Sequence, residues 1–294
     1  MDTRRLQVLL ELSRRGSMRA VADALGTTTS SVSQQVATLA REAGAPLVEP
    51  DGRRVRLTPA GRRLAEHAVT ILAAVEAARL DLDPDAEPVG TVRVAGFVSA
   101  IRTAVMPVVA EVAGSAVQIV VREHEPAEAQ ALLAADEVDL VITYDYDLAP
   151  APRDPSVDAL PLWSTGWGLG VPAAQADGVG PTALDVVTAF ADRDWIGNSR
   201  NRADEQVLRT LASMAGIEPR MAHEADSLGL VEDLIVAGLG VGLLPLDRAT
   251  VPGVRVVPLR DPGVRQRAAA LTRRGRATWP PLALVLRLLR ERYR

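Results

Sequence analysis

Along residues 1–82 apolar positions recur every three or four residues, the period of helices that bury one face. Leu6, Leu9 and Leu10 predict a first helix over Thr3–Arg15, with Ser13 continuing that face; Gly16-Ser17 ends it and caps the next. Val21, Ala24 and Leu25 form a second, short stripe that Gly26 stops, because glycine takes the left-handed conformation without strain. Thr28 or Thr29 then caps a third helix whose inward stripe is Val32, Val36 and Leu39. After Gly44 and Pro46, two extended runs flank the strong turn pair Asp51-Gly52, so residues 47–58 read as a β-hairpin. Two short helices about a tight turn and then a hairpin predict a winged helix-turn-helix over residues 1–58.

Thr58-Pro59 offers an N-cap followed by a proline in the first turn, and the helical pattern continues to about Leu82. Leu64, Ala68, Ile71, Val75, Ala78 and Leu82 follow a 4,3,4,3,4 spacing, a heptad seam that either pairs with a second chain or lies on its own domain. Residues 81–88, DLDPDAEP, are an acidic linker punctuated by prolines, so 59–88 forms a dimerisation helix and hinge.

From Thr91 the pattern changes to short β-branched runs at 91–97, 116–123 and 138–144, separated by helical stretches over 102–113 and 128–134. That alternation predicts a parallel sheet covered by helices. Further strands at 167–172, 194–198, 241–245, 254–259 and 265–272 alternate with helices at 182–190, 204–215 and 228–237 and from about Pro281. The count suits two α/β lobes within 89–294, one formed by about 89–160 and 263–294 and the other by about 161–262.

Charge separates the two ends. Residues 1–63 hold 11 arginines against 6 acids, whereas residues 64–294 hold 22 against 31. An acidic protein with a basic N-terminal end points to one region that faces a polyanion. The chain has no cysteine, which excludes disulfides, zinc–thiolate sites and thiol redox sensing. His67, His124 and His223 lack metal-ligand spacing, so no metal and no cofactor is assigned. The first residues carry charge on both sides of a short apolar stretch and do not form a secretory signal. The longest low-charge apolar run, Leu234–Leu246, is too short to span a bilayer, so a cytoplasmic location with no membrane partner is expected. Every one of the 33 basic residues is Arg, a bias that argues against reading function into any single arginine.

On the third helix, Thr28, Thr29, Ser30, Ser33, Gln34 and Thr38 present short hydroxyl and amide groups that suit base edges in a major groove, Gln34 being best suited to a bidentate contact. The alternative for Thr28, Thr29 and Ser33 is capping or solvation of the helix. Arg53, Arg54 and Arg56 flank the hairpin turn, where guanidinium groups reach phosphates or the minor groove and give affinity without sequence choice.

The order winged helix-turn-helix, linker helix, two-lobed α/β region resembles the LysR-type transcriptional regulators over nearly the full length. The resemblance is carried by Gly16-Ser17, Ala20-Val21-Ala22, Leu25, residues 31–36 (SVSQQV), Leu39, Pro46-Leu47 and residues 52–61 (GRRVRLTPAG), and further on by 138–142 and 236–245. Ser30 stands where the family very often has proline, Val48-Glu49-Pro50 replaces its usual aromatic and basic wing residues, and the first effector strand lacks the proline often seen after it. The resemblance implies a homodimer or homotetramer that binds double-stranded DNA and contacts RNA polymerase, with a C-terminal region folded like the periplasmic binding proteins. The seam residues Leu64, Ala68, Ile71, Val75 and Ala78 would join two copies.

In open α/β lobes, ligands sit outside the carboxyl ends of strands, where helix N-termini present free N–H groups. That rule selects Val98, Ser99, Ala100, Thr143, Tyr144, Asn198, Ser199 and Arg200. The family places its small-molecule cleft at equivalent positions, with Gly242 on another strand near it. Ser99, Thr143 and Asn198 would donate to a carboxylate, and Arg200 or Arg202 either supplies charge to an anionic effector or is only exposed at a helix start. Trp163 and Trp167 either line that pocket or pack in the core. No nucleophile elbow, phosphate loop or dinucleotide fingerprint is present, so the reading is a regulator and not an enzyme. The alternative is a constitutive DNA-binding protein whose C-terminal region serves only oligomerisation.

Overall fold

The computed structural model describes residues 1–51, 54–83, 87–152, 154–200 and 202–294. The head comprises α1 (Thr3–Arg15), α2 (Met18–Ala24), α3 (Thr29–Ala43) and an antiparallel hairpin of β1 (Val48–Asp51) and β2 (Arg54–Leu57). Leu6, Leu9, Leu39 and Leu47 form one apolar cluster, and Val8, Leu12, Val21, Ala22, Val32 and Val36 form the other. Two inward positions differ from the predicted stripes. Ala24 is exposed and Ala22 is buried in its place, because the seven-residue α2 packs about Val21 and has no full second turn to extend a stripe. Ser13 is exposed, with its hydroxyl bonded back to the Leu10 carbonyl at 3.0 Å, while Val8 and Leu12 fill the face.

The head passes into α4 (Pro59–Leu82) through a tight joint. Thr58 Oγ1 accepts from Gly61 N at 3.0 Å and donates to the Pro46 carbonyl at 2.7 Å. A Cβ on Gly61 would lie 2.1 Å from the Leu47 carbonyl oxygen, so only glycine fits where α4 crosses the base of the hairpin. Ala65, Ala68, Val69 and Ala73 are buried along α4. Of the predicted seam, Ala68 lies in the head's own core with Leu64 partly buried against it, so these two positions are already covered within one chain. The seam is open from Ile71, which is 38% exposed, through half-buried Val75 to exposed Ala78.

The remaining strands are β3 (Gly90–Gly96), β4 (Val117–Glu123), β5 (Leu140–Tyr146), β6 (Val157–Pro172), β7 (Asp194–Gly197), β8 (Arg220–Glu224), β9 (Val241–Pro245), β10 (Val254–Pro258) and β11 (Arg265–Arg273). They form one sheet in the order β4-β3-β5-β11-β6-β9-β7-β8, with β10 also on β6. β3, β4 and β5 are parallel, as are β7, β8 and β9, which gives two α/β lobes. β6 crosses from one to the other: up to Gly166 it pairs with β11, and from Trp167 it pairs with β9, with Gly168–Pro172 also paired to β10. The covering helices are α5 (Val98–Ala100), α6 (Met106–Glu111), α7 (Pro126–Ala134), α8 (Ala183–Ala189), α9 (Ala203–Met214), α10 (Leu228–Val236) and α11 (Pro280–Arg292). A π-helical turn at Ile101–Val105 joins α5 to α6, where one straight helix over 102–113 was predicted. α11 packs against both α4 and α6.

A cluster of ion pairs fastens the head to the α/β region. Asp136, buried at a left-handed position after α7 (φ 59°), takes Arg14 from the last turn of α1 and Arg273 from β11, the latter at 3.0 Å. Three residues on, buried Asp139 takes Arg93 in a bidentate pair at 2.9 Å and Arg276 at 3.6 Å. The Asp139 carboxyl is held below the ordinary carboxylate range by the Arg93 hydrogen bonds and charge, which outweigh its burial.

Candidate DNA-binding surface and effector cleft

α3 begins at Thr28, whose Oγ1 accepts from Ser31 N at 3.2 Å and shares a hydrogen bond with Ser30 Oγ at 2.9 Å. Thr28 is therefore the cap. Thr29, Ser30, Ser33 and Gln34 are exposed on the helix, and half-buried Thr38 accepts from Arg41 at 3.0 Å. Their face is polar and carries no acid, which is what contact with base edges requires. The hairpin stands beside it as a wing. Its Arg56 pairs with cross-strand Glu49 at 2.9 Å, so part of the wing's positive charge is offset within the hairpin. Arg53 lies outside the described residues, as does the side chain of Arg54.

In the α/β region a cleft of about 660 Å³ opens outside the carboxyl ends of β3, β4, β7 and β8. Val98, Ser99, Tyr144, Asn198 and Arg200 of the predicted set line it. Ala100 is instead buried in the core beneath α5. Thr143 points to the opposite face of β5 from Tyr144 and accepts from Gln130 of α7 at 3.4 Å. Gly242 is buried in the sheet, where a Cβ would press on Val231 and Ile196. Ser199 serves the cleft indirectly: its N–H and hydroxyl both donate to Asp226.

Four acids and one aromatic ring missed by the sequence reading make up much of the wall: Phe97, Glu123, Glu125, Asp204 and Asp226. Only Glu123 and Glu125 are close in sequence, and no local pattern marks them. Asp204 accepts from Tyr146 OH at 2.8 Å and from Asn198 Nδ2 at 3.2 Å, and desolvation pushes its carboxyl up to about 6 despite those bonds. Arg200 does not stand as a free cation. Its Nε donates to Asp226 at 3.2 Å, and Glu125, Glu128 and Glu123 surround it at 3.8, 3.8 and 3.9 Å. Trp167 both packs in the core and lines the cleft, while Trp163 stacks at a tilt on Tyr293 with centroids 4.9 Å apart.

The family model for the bacterial regulatory helix-turn-helix protein of the lysR family matches residues 3–62, and that for the LysR substrate binding domain matches residues 85–294. The chain belongs to the LysR family. Among LysR relatives, the transcriptional dual regulator GltC of Bacillus subtilis is 26% identical over 95% of this chain and 93% of its own length. A full-length single-site variant of OxyR from Pseudomonas aeruginosa has the same fold, with a TM-score of 0.71 and 19% identity over 99% of this chain and 95% of that one. So does full-length LysG from Corynebacterium glutamicum with bound effector Arg, with a TM-score of 0.65 and 19% identity over 99% of both chains. The LysR-type protein described here is thus a DNA-binding transcriptional regulator with an effector-binding domain. Among the described residues no helix is long and apolar enough to cross a membrane, and no group of three potential ligands is gathered for a metal ion.

Proposed function

We propose that α3 lies in the major groove of duplex DNA with Gln34 making a bidentate contact and Thr29, Ser30 and Ser33 meeting neighbouring base edges, while the wing grips the flanking backbone. The observation that carries this reading is the acid-free polar face of α3 set beside a basic hairpin. Two copies join along the open part of α4, at Ile71, Val75 and Ala78, and present two α3 helices to an inverted repeat. A homodimer or a homotetramer satisfies that arrangement, and contact with RNA polymerase then transmits the signal. The protein acts in the cytoplasm and catalyses no reaction.

The cleft between the lobes holds the small-molecule effector, a reading supported by the match to a substrate binding domain and by the effector-bound LysG of the same fold. Effector binding biases the relative placement of the two heads on DNA. Ile71→Glu tests the assembly: sedimentation should show a shift to smaller species and the gel shift on a two-half-site duplex should weaken. An unchanged oligomer would remove α4 from the interface.

A further inference from the structure

We infer that the DNA-binding head is latched to the first lobe of its own chain through Arg14 and Asp136, so that head, α4 and this lobe form one body and the head does not swing from the linker. The first lobe comprises β3, β4, β5 and β11 with α6, α7 and α11. Domains joined through a linker move relative to one another unless a substantial contact prevents it. Two separate contacts prevent it here.

The first is the buried acid pair. The side chains of Asp136 and Asp139 are 6% and 1% exposed, and the arginines gathered on them are Arg14 of α1, Arg93 of β3, Arg273 of β11 and Arg276 of the turn that follows β11. Arg93 ties the two acids into one network: its Nη1 donates to the Asp136 carbonyl at 3.0 Å, while Nε and Nη2 hold the Asp139 carboxylate. Three of these arginines belong to the first lobe, and Arg14 arrives from the head. Glu11, one turn earlier on α1, holds Arg14 from the other side at 2.9 Å. Burial works against the charge on Arg14, and the carboxylates of Asp136 and Glu11 outweigh it and raise the guanidinium above its ordinary value. A pair this enclosed is little screened by salt, and separating it removes compensation from two buried charges. Asp136 also holds left-handed backbone, where glycine is the unstrained choice; aspartate at that position supplies the carboxylate that receives Arg14.

The second contact lies on α4. α1 packs along α4, so the head and the linker helix are already one piece. Midway along that helix, Thr70 Oγ1 donates to the Arg274 carbonyl at 3.4 Å, and a Cβ on Gly275 (φ 77°) would lie 2.4 Å from the same oxygen, so the turn after β11 rests directly on α4. Arg276 of this turn reaches Asp139 and also lies 4.0 Å over the ring of Trp279, the residue that caps α11. One short segment, residues 273–279, therefore joins the acid pair to the α4 contact. A single contact leaves a pivot, whereas contacts at both Arg14 and Thr70 do not.

The latch also gives the cleft a route to the head. α7 starts at Glu125, which lines the cleft, and Asp136 lies just past its other end. The head thus follows the wall of the first lobe, and motion across the cleft reaches DNA as a displacement of the head against the second lobe. This consequence rests on the reading of the cleft as the effector site; the latch itself does not.

The test uses the full-length protein, whose lack of cysteine lets two introduced thiols carry spin labels at chosen positions. Ala24→Cys on α2 and Ala131→Cys on α7, both exposed, place one label on the head and one on the first lobe. Dilution with unlabelled protein restricts double electron–electron resonance to distances within one chain. The parent should give a single narrow distance distribution at low and at high salt. Arg14→Ala should widen it at least twofold, and so should Asp136→Asn, which keeps a residue that tolerates the left-handed turn and removes the charge. Arg15→Ala, the neighbouring arginine that pairs with Glu11, should leave it unchanged. A broad distribution in the parent, or an unchanged one in Arg14→Ala, would overturn the latch. Equal widening in Arg15→Ala would assign the effect to fraying of α1 and overturn it as well. No effector is added, so failure of the latch leaves the reading of the cleft intact.

Discussion

The head and the effector cleft use arginine in opposite ways. On the head, the recognition face of α3 is neutral and polar, and on the wing Arg56 leans on Glu49 at the surface. In the cleft, Arg200 is drawn inward among four carboxylates that come from three separate segments. A polyanion is met by charge that projects outward and remains available, so its signature survives in a simple count along the chain. A small ligand is met by charge whose meaning depends on what folds around it. The same residue type is therefore set at the surface of a hairpin at one end and enclosed by acids at the other.

The largest effect is expected where the two regions meet. Asp136→Ala leaves Arg14 and Arg273 partly buried without their shared partner, and should cost about 3 kcal/mol in chemical denaturation. Stability within a few tenths of the parent would show that the head is not fastened to the α/β region through this acid.

Next is Gln34→Ala on the head, which should change discrimination between operator variants by ~1–3 kcal/mol in competitive gel shifts. An equal loss on all sequences would move recognition away from Gln34.

Asp204 gives the cleft a pH dependence of comparable or smaller size. Its folded value of about 6 lies above the ordinary carboxylate value, so the native state binds the proton more tightly than the unfolded chain. The resulting stabilisation is full below the unfolded value and fades as pH rises through 6, a loss on the order of 1–2 kcal/mol between pH 5 and pH 8. Asp204→Asn should flatten that slope in denaturant titrations across this range; a slope equal to the parent's would assign it to another group.

The smallest effect belongs to the wing. Glu49→Ala frees Arg56 and should strengthen binding to all duplexes by about 1 kcal/mol or less, with sequence preference unchanged. A change in preference would give the wing a role in base readout.

Much of the head was legible because its determinants are local. The stripe Val32, Val36, Leu39 and the caps at Thr28 and Thr58 sit within a few residues of what they stabilise. The limits there were short range as well: α2 is too brief for a period to place Ala22 ahead of Ala24. In the α/β region the alternation of strands and helices was visible, but β6 read as the short run 167–172. Gly166, Gly168 and Gly170 and Pro161 look like breaks, whereas Gly168 lets β10 approach so closely that a Cβ would lie 2.5 Å from the Val257 carbonyl oxygen. β8, with the polar sequence RMAHE and alternating exposure at the sheet edge, has no β-branched residue to announce it. The cleft was legible only as strand ends. Phe97, Asn198 and Asp226 follow β3, β7 and β8 as the rule for open sheets requires, but which acid neutralises Arg200 is a tertiary fact.

The central claim is that α3 reads bases while the wing supplies affinity, and selection from a randomised duplex pool by the full-length protein tests it most directly. The parent should enrich an inverted repeat, and Gln34→Ala should enrich a repeat altered at one base position in each half-site. Recovery of the same sequences by both proteins, or of no sequence by the parent, would contradict it.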